Sequence, residues 1–221
     1  STLSLLEDFL GRLWIGTAGE GLYCLDEGRL EHFLAPGGNQ ENTIHALHQD
    51  QAGVIYAVPE KGSIYVFDQG EMRRMHLSEK IVGRVLGAEF LDSGEILLAT
   101  ETQGLARVRD GVVSFETGPD QIEGRSLMSV MQDSEGSLWL GTDGGGLCRV
   151  RRNQADCWTT EQDLAGNVVR DVFQDAEGAV WAATDKGLSR ITATGVERFT
   201  RANGLPVDTI QSIFQDREGK M

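Results

Sequence analysis

The stretch Arg125–Thr160, RSLMSVMQDSEGSLWLGTDGGGLCRVRRNQADCWTT, decides how the whole chain is read. Ser126–Gln132 is an apolar-rich run of strand length, and Asp133-Ser134-Glu135-Gly136 turns the chain back. Asp opens such turns by bonding its own backbone, and Gly takes the positive φ that the return needs. Leu138-Trp139-Leu140 reads as a second strand, Asp143-Gly144-Gly145-Gly146 as a turn, and Leu147–Val150 as a third strand. Arg152-Asn153-Gln154-Ala155 turns once more before a fourth strand at Cys157-Trp158-Thr159. The stretch is therefore four short antiparallel strands.

The same grammar recurs along the chain. Its turn glycine reappears as Gly11, Gly53, Gly94, Gly136, Gly178 and Gly219, at intervals of 42, 41, 42, 42 and 41 residues. Second strands read LWIGT, IYAVP, ILLAT, LWLGT and VWAAT, with Trp14, Tyr56, Leu97, Trp139 and Trp181 at one matched position. Fourth strands place Phe33, Met75, Phe115, Trp158 and Phe199 alike. Four strands per ~40–45 residues describe a propeller blade. The expected fold is all-β: a β-propeller of four-stranded antiparallel blades, with five repeats plus one partial repeat. The 221 residues read as a single domain, with repeats at about 1–41, 42–82, 83–124, 125–166 and 167–207 and a partial one at 208–221. The large matched residues read as core between blades, and the Asp-x-x-Gly turns as turn chemistry, since they lack the acidic ladder of a calcium loop.

Composition is that of a soluble globular chain, 40% hydrophobic with 28 glycines and 4 prolines. A net charge of −14 repels phosphate backbones and anionic headgroups, so neither nucleic acid nor a membrane surface is an expected partner. No run approaches the ~18–20 apolar residues of a membrane span. Three cysteines, Cys24, Cys148 and Cys157, give no disulfide framework or zinc site. Cys148 and Cys157 flank one hairpin, but at an offset that looks diagonal, so buried thiols are the expectation.

The pattern D-x-x-G-x-L-W-x-G-T, with G-L-P-x-[DN] ahead of it, resembles the two-component-regulator propeller repeat. Asp8–Thr17 and Asp133–Thr142 carry it, with a looser copy at Asp175–Thr184, and Gly204-Leu205-Pro206-Val207-Asp208 opens the last copy. The resemblance implies the extracytoplasmic input domain of a bacterial hybrid sensor kinase or diguanylate cyclase. It also implies a periplasmic or extracytoplasmic location within a membrane-anchored parent, and sensing of glycans or their breakdown products. Tyr56 and Pro59 in the second repeat, and Leu91 and Leu97 in the third, depart from the pattern.

Propellers of the family usually hold more blades, often about seven. Two arrangements are compatible with five repeats and an orphan strand. The chain is a fragment of a larger ring, or five blades close with Thr209–Gln215 pairing against Leu13–Thr17 in place of the N-terminal segment. An open arc leaves apolar faces and strand edges that favour self-association.

A ligand would bind where the loops leading into the innermost strands meet those between second and third strands. Residues there vary from repeat to repeat. Asn42, Arg125, Asn167 and Asp208 stand at the strand entrances, and His45, Arg170 and Gln211 share one innermost position with Asp171 beside it. Such mixed hydrogen-bonding groups suit a small polar, sugar-like ligand. Catalysis is not expected. Glu89, Asp171 and Asp208 lie on three different repeats, and His45 and His48, at i and i+3 of a strand, point to opposite faces. There is no GxSxG. No cofactor or metal is expected. The reading is a non-catalytic ligand-binding sensor segment, whose partner is a small polar ligand or a neighbouring sensor subunit. The alternatives are a propeller-scaffold enzyme (glycan-cleaving or a metal-dependent lyase) and a protein-interaction propeller.

Overall fold

A computed structural model describes residues 2–36, 38–68, 70–116, 122, 125–152, 154–215 and 219–220. Each repeat forms its own four-stranded antiparallel sheet. The first holds β1 (Thr2–Glu7), β2 (Leu13–Thr17), β3 (Leu22–Asp26) and β4 (Arg29–Phe33), hydrogen-bonded in that order. The second is β5 (Ile44–Gln49), β6 (Ile55–Pro59), β7 (Tyr65–Asp68) and β8 (Glu71–Arg74). The third is β9 (Val85–Phe90), β10 (Ile96–Thr100), β11 (Leu105–Arg109) and β12 (Val112–Glu116). The fourth is β13 (Leu127–Gln132), β14 (Leu138–Thr142), β15 (Leu147–Arg151) and β16 (Gln154–Trp158). The fifth is β17 (Val169–Gln174), β18 (Val180–Thr184), β19 (Gly187–Thr192) and β20 (Gly195–Phe199). The contacts divide the chain into two compact units, residues 1–98 with 106–114, and residues 99–105 with 115–221.

The turn between the first two strands of a sheet is built by one carboxylate. Asp133 Oδ1 accepts from Glu135 N and Ser137 N, and Gly136 completes the return at φ 81°. Asp8, Asp50 and Asp175 repeat these two backbone bonds in their own turns. The other carboxylate oxygen reaches the second strand. Trp14, Trp139 and Trp181 each donate Nε1–H to Oδ2 of the Asp six residues earlier, at 2.8, 2.8 and 2.7 Å, and Tyr56 donates its hydroxyl to Asp50 at 3.2 Å. Turn and core residue are therefore one device.

In the first unit the core lies between the first and second sheets. Trp14, Leu22, Ile44, Ile55 and Tyr65 form it, and Phe67 of the second sheet meets Trp14 edge-on at 4.7 Å. In the second unit Met131, Trp139, Leu147, Val172 and Val180 do the same between the fourth and fifth sheets, with Trp158 stacked on Trp139. The faces that the paired sheets turn toward one another are buried in these cores. Glutamine staples bind one repeat to the turn of the one before. Gln49 Oε1 accepts from Phe9 N, Gln174 from Ser134 N and Gln215 from Ala176 N, at 2.8, 2.8 and 3.2 Å.

One of the two arrangements left open is excluded, and one sequence expectation is corrected. β2 pairs with β1, register Leu6↔Trp14, so Thr209–Gln215 does not take that place and forms no strand. Cys148 and Cys157 are joined in a disulfide. The turn after β15 takes two residues, not four, with Arg152 at φ 49°, and Gln154-Ala155 already belong to β16. That shift of register places Cys157 directly opposite Cys148, with Cα atoms 4.1 Å apart. Positive φ at the first central residue is the mark of a two-residue hairpin turn.

Candidate functional site

The innermost strands share an irregularity at one position. In β1, β5, β13 and β17 the register with the second strand shifts between Thr2 and Ser4, Ile44 and Ala46, Leu127 and Ser129, and Val169 and Asp171. The residues left out of the ladder are Leu3, His45, Met128 and Arg170. A bulge frees its extra residue from pairing and re-aims it, and bulges cluster at functional positions. The position the sequence singled out as variable is thus a bulge in the first, second, fourth and fifth sheets.

Two of these side chains carry a polar atom that is buried without a partner: Nε2 of His45 in the first unit and Nε of Arg170 in the second. Buried polar atoms are nearly always satisfied, and the exceptions call for an explanation. Burial holds the His45 imidazole below its usual pKa; Glu60 opposes this and Arg84 adds to it. Asp171, beside Arg170, has its carboxyl pushed up by burial, although Ile213 N (2.8 Å) and Val172 N (3.0 Å) donate to it and pull the other way.

Three of the strand-entrance candidates have a different task. Asn42 Oδ1 accepts from Ala35 N, Asn167 Oδ1 from Thr160 N, and Asp208 Oδ1 from Arg201 N, at 2.7, 2.8 and 2.8 Å and always seven residues back. Each clips the linker that leaves the previous sheet. Asn42 also donates to the carbonyls of Ala35 and Gly38, so its amide is fully used. The main-chain carbonyl of Asn42 accepts from Gly19 N and Gly21 N, and that of Asn167 from Gly144 N and Gly146 N. These residues hold the loop between second and third strands of the preceding repeat. Gly146, at φ 81°, lies so close to the Trp158 carbonyl that no Cβ fits.

Arg125 is exposed, with its guanidinium lying over Gly145. Gln211 is exposed on the segment after the fifth sheet, where Ile210 N donates to Thr184 O. The structure therefore separates a clip set, Asn42, Asn167 and Asp208, from a set whose polar groups remain available in His45 and Arg170. Sequence reading missed the clips because the seven-residue reach closes only when the linker folds into a turn. The capping boxes of Thr159 with Gln162 and Thr200 with Asn203 were the signal for that turn. Among the described residues no three His, Cys, Asp or Glu side chains come together to hold a metal, and no helix is long and apolar enough to cross a membrane.

Residues 121–144 match the family model described as two component regulator propeller. No curated protein matches the chain. Among solved structures, the extracellular domain assigned to the hybrid two component system BT3049 of B. thetaiotaomicron superposes with a TM-score of 0.82 at 23% identity, over 99% of this chain and 31% of that one. The extracellular domain assigned to the system BT4673 of the same organism gives a TM-score of 0.61 at 17% identity, covering 99% and 36%. Virginiamycin B lyase from Staphylococcus aureus gives 0.73 at 15% identity, covering 90% and 69%. The chain spans about a third of the length of the two extracellular domains. At these identities the likeness is one of fold: the chain carries a two component regulator propeller repeat at residues 121–144, within consecutive four-stranded sheets of propeller type.

Proposed function

We propose that the chain is a non-catalytic sensory segment of a bacterial signal-transduction protein, extracytoplasmic in location, that recognises a small polar ligand such as a glycan fragment. The observation that carries the reading is the bulge shared by the innermost strands, with His45 Nε2 and Arg170 Nε buried and unpartnered there. A ligand hydroxyl that satisfies such an atom gains the hydrogen bond and removes a cost of about 1–3 kcal/mol. In the first unit Asn42 shapes a loop of the same sheet pair as His45; in the second, Arg125, Asp171 and Gln211 extend the candidate set with Arg170, and Asn167 and Asp208 shape the loops of that unit. The match of residues 121–144 and the likeness to two extracellular sensor domains support the sensory role. The Cys148–Cys157 disulfide suits an oxidising compartment. Exposed Leu3 and Leu5 on β1 offer an apolar surface for self-association or a neighbouring sensor subunit.

The mechanism is a population shift, in which ligand favours one arrangement of this segment against the downstream part of the parent protein. The lyase alternative draws on the virginiamycin B lyase likeness, but among the described residues it has no cluster of metal-ligating side chains to build on.

Thermal-shift and calorimetric titration of the parent protein against a panel of neutral oligosaccharides tests the reading. At least one sugar is expected to raise the melting temperature, and His45→Ala with Arg170→Ala to abolish that rise. A panel with no binder contradicts the sugar reading. Binding that survives both substitutions contradicts the placement.

A further inference from the structure

The linker that leaves the second sheet is built unlike those that leave the first, fourth and fifth. From Phe33 to Asn42, Trp158 to Asn167 and Phe199 to Asp208 is nine residues, and each ends on a clip. From Met75 to Gly83 is eight, and glycine has no side chain to clip with. The linker is held elsewhere: Ser78 N donates to Gly111 O at 2.8 Å, and Ser78 Oγ accepts from Val113 N at 2.9 Å. Drawn at Ser78 onto the β11–β12 turn, it meets the β6–β7 loop where Ile81 lies close against Gly62. Between them, within the first unit, opens a cleft of about 390 Å³.

The cleft collects cations in a chain whose net charge is −14. Lys61, Arg74 and Lys80 line it beside the His76 ring, against Glu41 and Glu79. The chain has only four lysines, and Lys61 and Lys80 are two of them. Both are exposed, and neither makes an ion pair among the described residues. The Glu41 carboxylate is buried and already engaged: Tyr65 donates its hydroxyl at 2.5 Å, Ser63 its own at 3.4 Å, and Arg74 stands 3.7 Å away. Arg74 is held in turn by Ser63 Oγ at 2.7 Å, which fixes its guanidinium at the cleft wall. The arrangement is a wall with one positioned guanidinium and two unspent ammonium groups.

We propose that this cleft is an anion site that takes the carboxylate or sulfate of a small molecule, an acidic sugar unit being the size that fits. The site is separate from the bulge residues and goes beyond the neutral polar ligand read there. Arg74 supplies directed donors to an oxyanion, while Lys61 and Lys80 supply charge on flexible stems.

Calorimetric or ligand-observed NMR titration at constant ionic strength tests it, with sodium glucuronate, sodium sulfate and neutral glucose as probes. Glucuronate is expected to bind saturably, sulfate to compete with it, and glucose to leave this site empty. Lys61→Gln with Lys80→Gln is expected to weaken glucuronate about tenfold or more at unchanged melting temperature. Arg29→Gln, a surface charge on β4, is the control for net charge. Sulfate binding without glucuronate binding keeps the anion site and assigns it to a free inorganic anion. No anion binding, equal binding of glucose and glucuronate, or indifference to the lysine pair overturns the proposal. Binding of a neutral sugar elsewhere would stand apart from either outcome.

Discussion

Trp139 donates its indole N–H to Oδ2 of Asp133 at 2.8 Å, and the other oxygen of the same carboxylate closes the turn that sets Trp139 in place. The guanidinium of Arg149 lies 5.4 Å from the indole centroid and 3.2 Å from that carboxylate. Arg12 and Arg190 lie over Trp14 and Trp181 in the same way. One acid thus orders a turn, anchors a core residue and holds a surface cation. The third repeat loses both partners at once, with Leu91 for the acid and Leu97 for the aromatic. There Glu95 takes over only the cations, paired with Arg107 and Arg109 and bonded to Ser93.

Removing the acid strands several buried donors, whereas removing the indole leaves the turn bonds intact. Asp133→Ala is expected to destabilise by about 3 kcal/mol and Trp139→Phe by about 1–2 kcal/mol. A double-mutant cycle by denaturant unfolding should return a coupling of about 1 kcal/mol. Strict additivity would show that the contact carries no energy.

These carboxylates also fix the response to acid. Burial would raise Asp8, Asp133 and Asp175, but the indole bond, the backbone donors and the nearby arginine outweigh it and hold each below the ordinary 3.8. Glu95 is likewise held below 4.5, its arginines and Ser93 overcoming burial. A carboxyl depressed by folding contributes stability above its unfolded pKa and loses it as pH falls through the folded one. Melting temperature should therefore hold on the alkaline side of about pH 5 and drop steeply below about pH 4. Asp133→Asn should start lower and lose less over the same interval.

The linker clips separate two roles for asparagine. Asn167 acts through its oxygen, as Asp208 does, so Asn167→Asp should be near neutral and Asn167→Ala should cost about 1–2 kcal/mol. Asn42 also donates to two carbonyls, so Asn42→Asp should cost as much as Asn42→Ala or more. Chemical denaturation of the four variants gives the comparison. Equal tolerance of aspartate at both positions would contradict the assignment.

The cystine bridges strands already paired in a tight hairpin, so little chain entropy is left for it to remove. Cys148→Ser with Cys157→Ser should destabilise by about 2 kcal/mol. Thiol titration of the unfolded, unreduced chain should find only Cys24. Three titrating thiols would show that the bridge does not form.

The sheet-per-repeat plan was legible because it is written many times over, in glycines at one interval and large residues at one strand position. What sequence did not show is how polar groups are spent. Asp133 read as a turn former and Trp139 as core, and both are, yet their bond spans six residues and needs the folded hairpin to close. The joint loss at Leu91 and Leu97 was its trace. Asn42, Asn167 and Asp208 read as ligand groups because they are polar and sit at strand entrances, while their seven-residue clips depend on a linker turn. His45 and Arg170 stood out only as variable, and the bulge that frees them has no residue signature of its own. The cystine was missed by a turn counted two residues too long, although Glu27-Gly28 and Asp110-Gly111 mark the two-residue turn at the matched place.

Hydrogen exchange at the four tryptophan indoles tests most directly whether successive repeats share one locked fold. Trp14, Trp139 and Trp181 each give their N–H to an acid of their own turn, whereas Trp158 has no such partner among the described residues. In proton–nitrogen spectra, three indole signals should persist after transfer to heavy water and one should fade at once. Removal of Asp8, Asp133 or Asp175 should release only the indole six residues on. If all four exchange alike, or release does not track the paired acid, the repeats are not built as described.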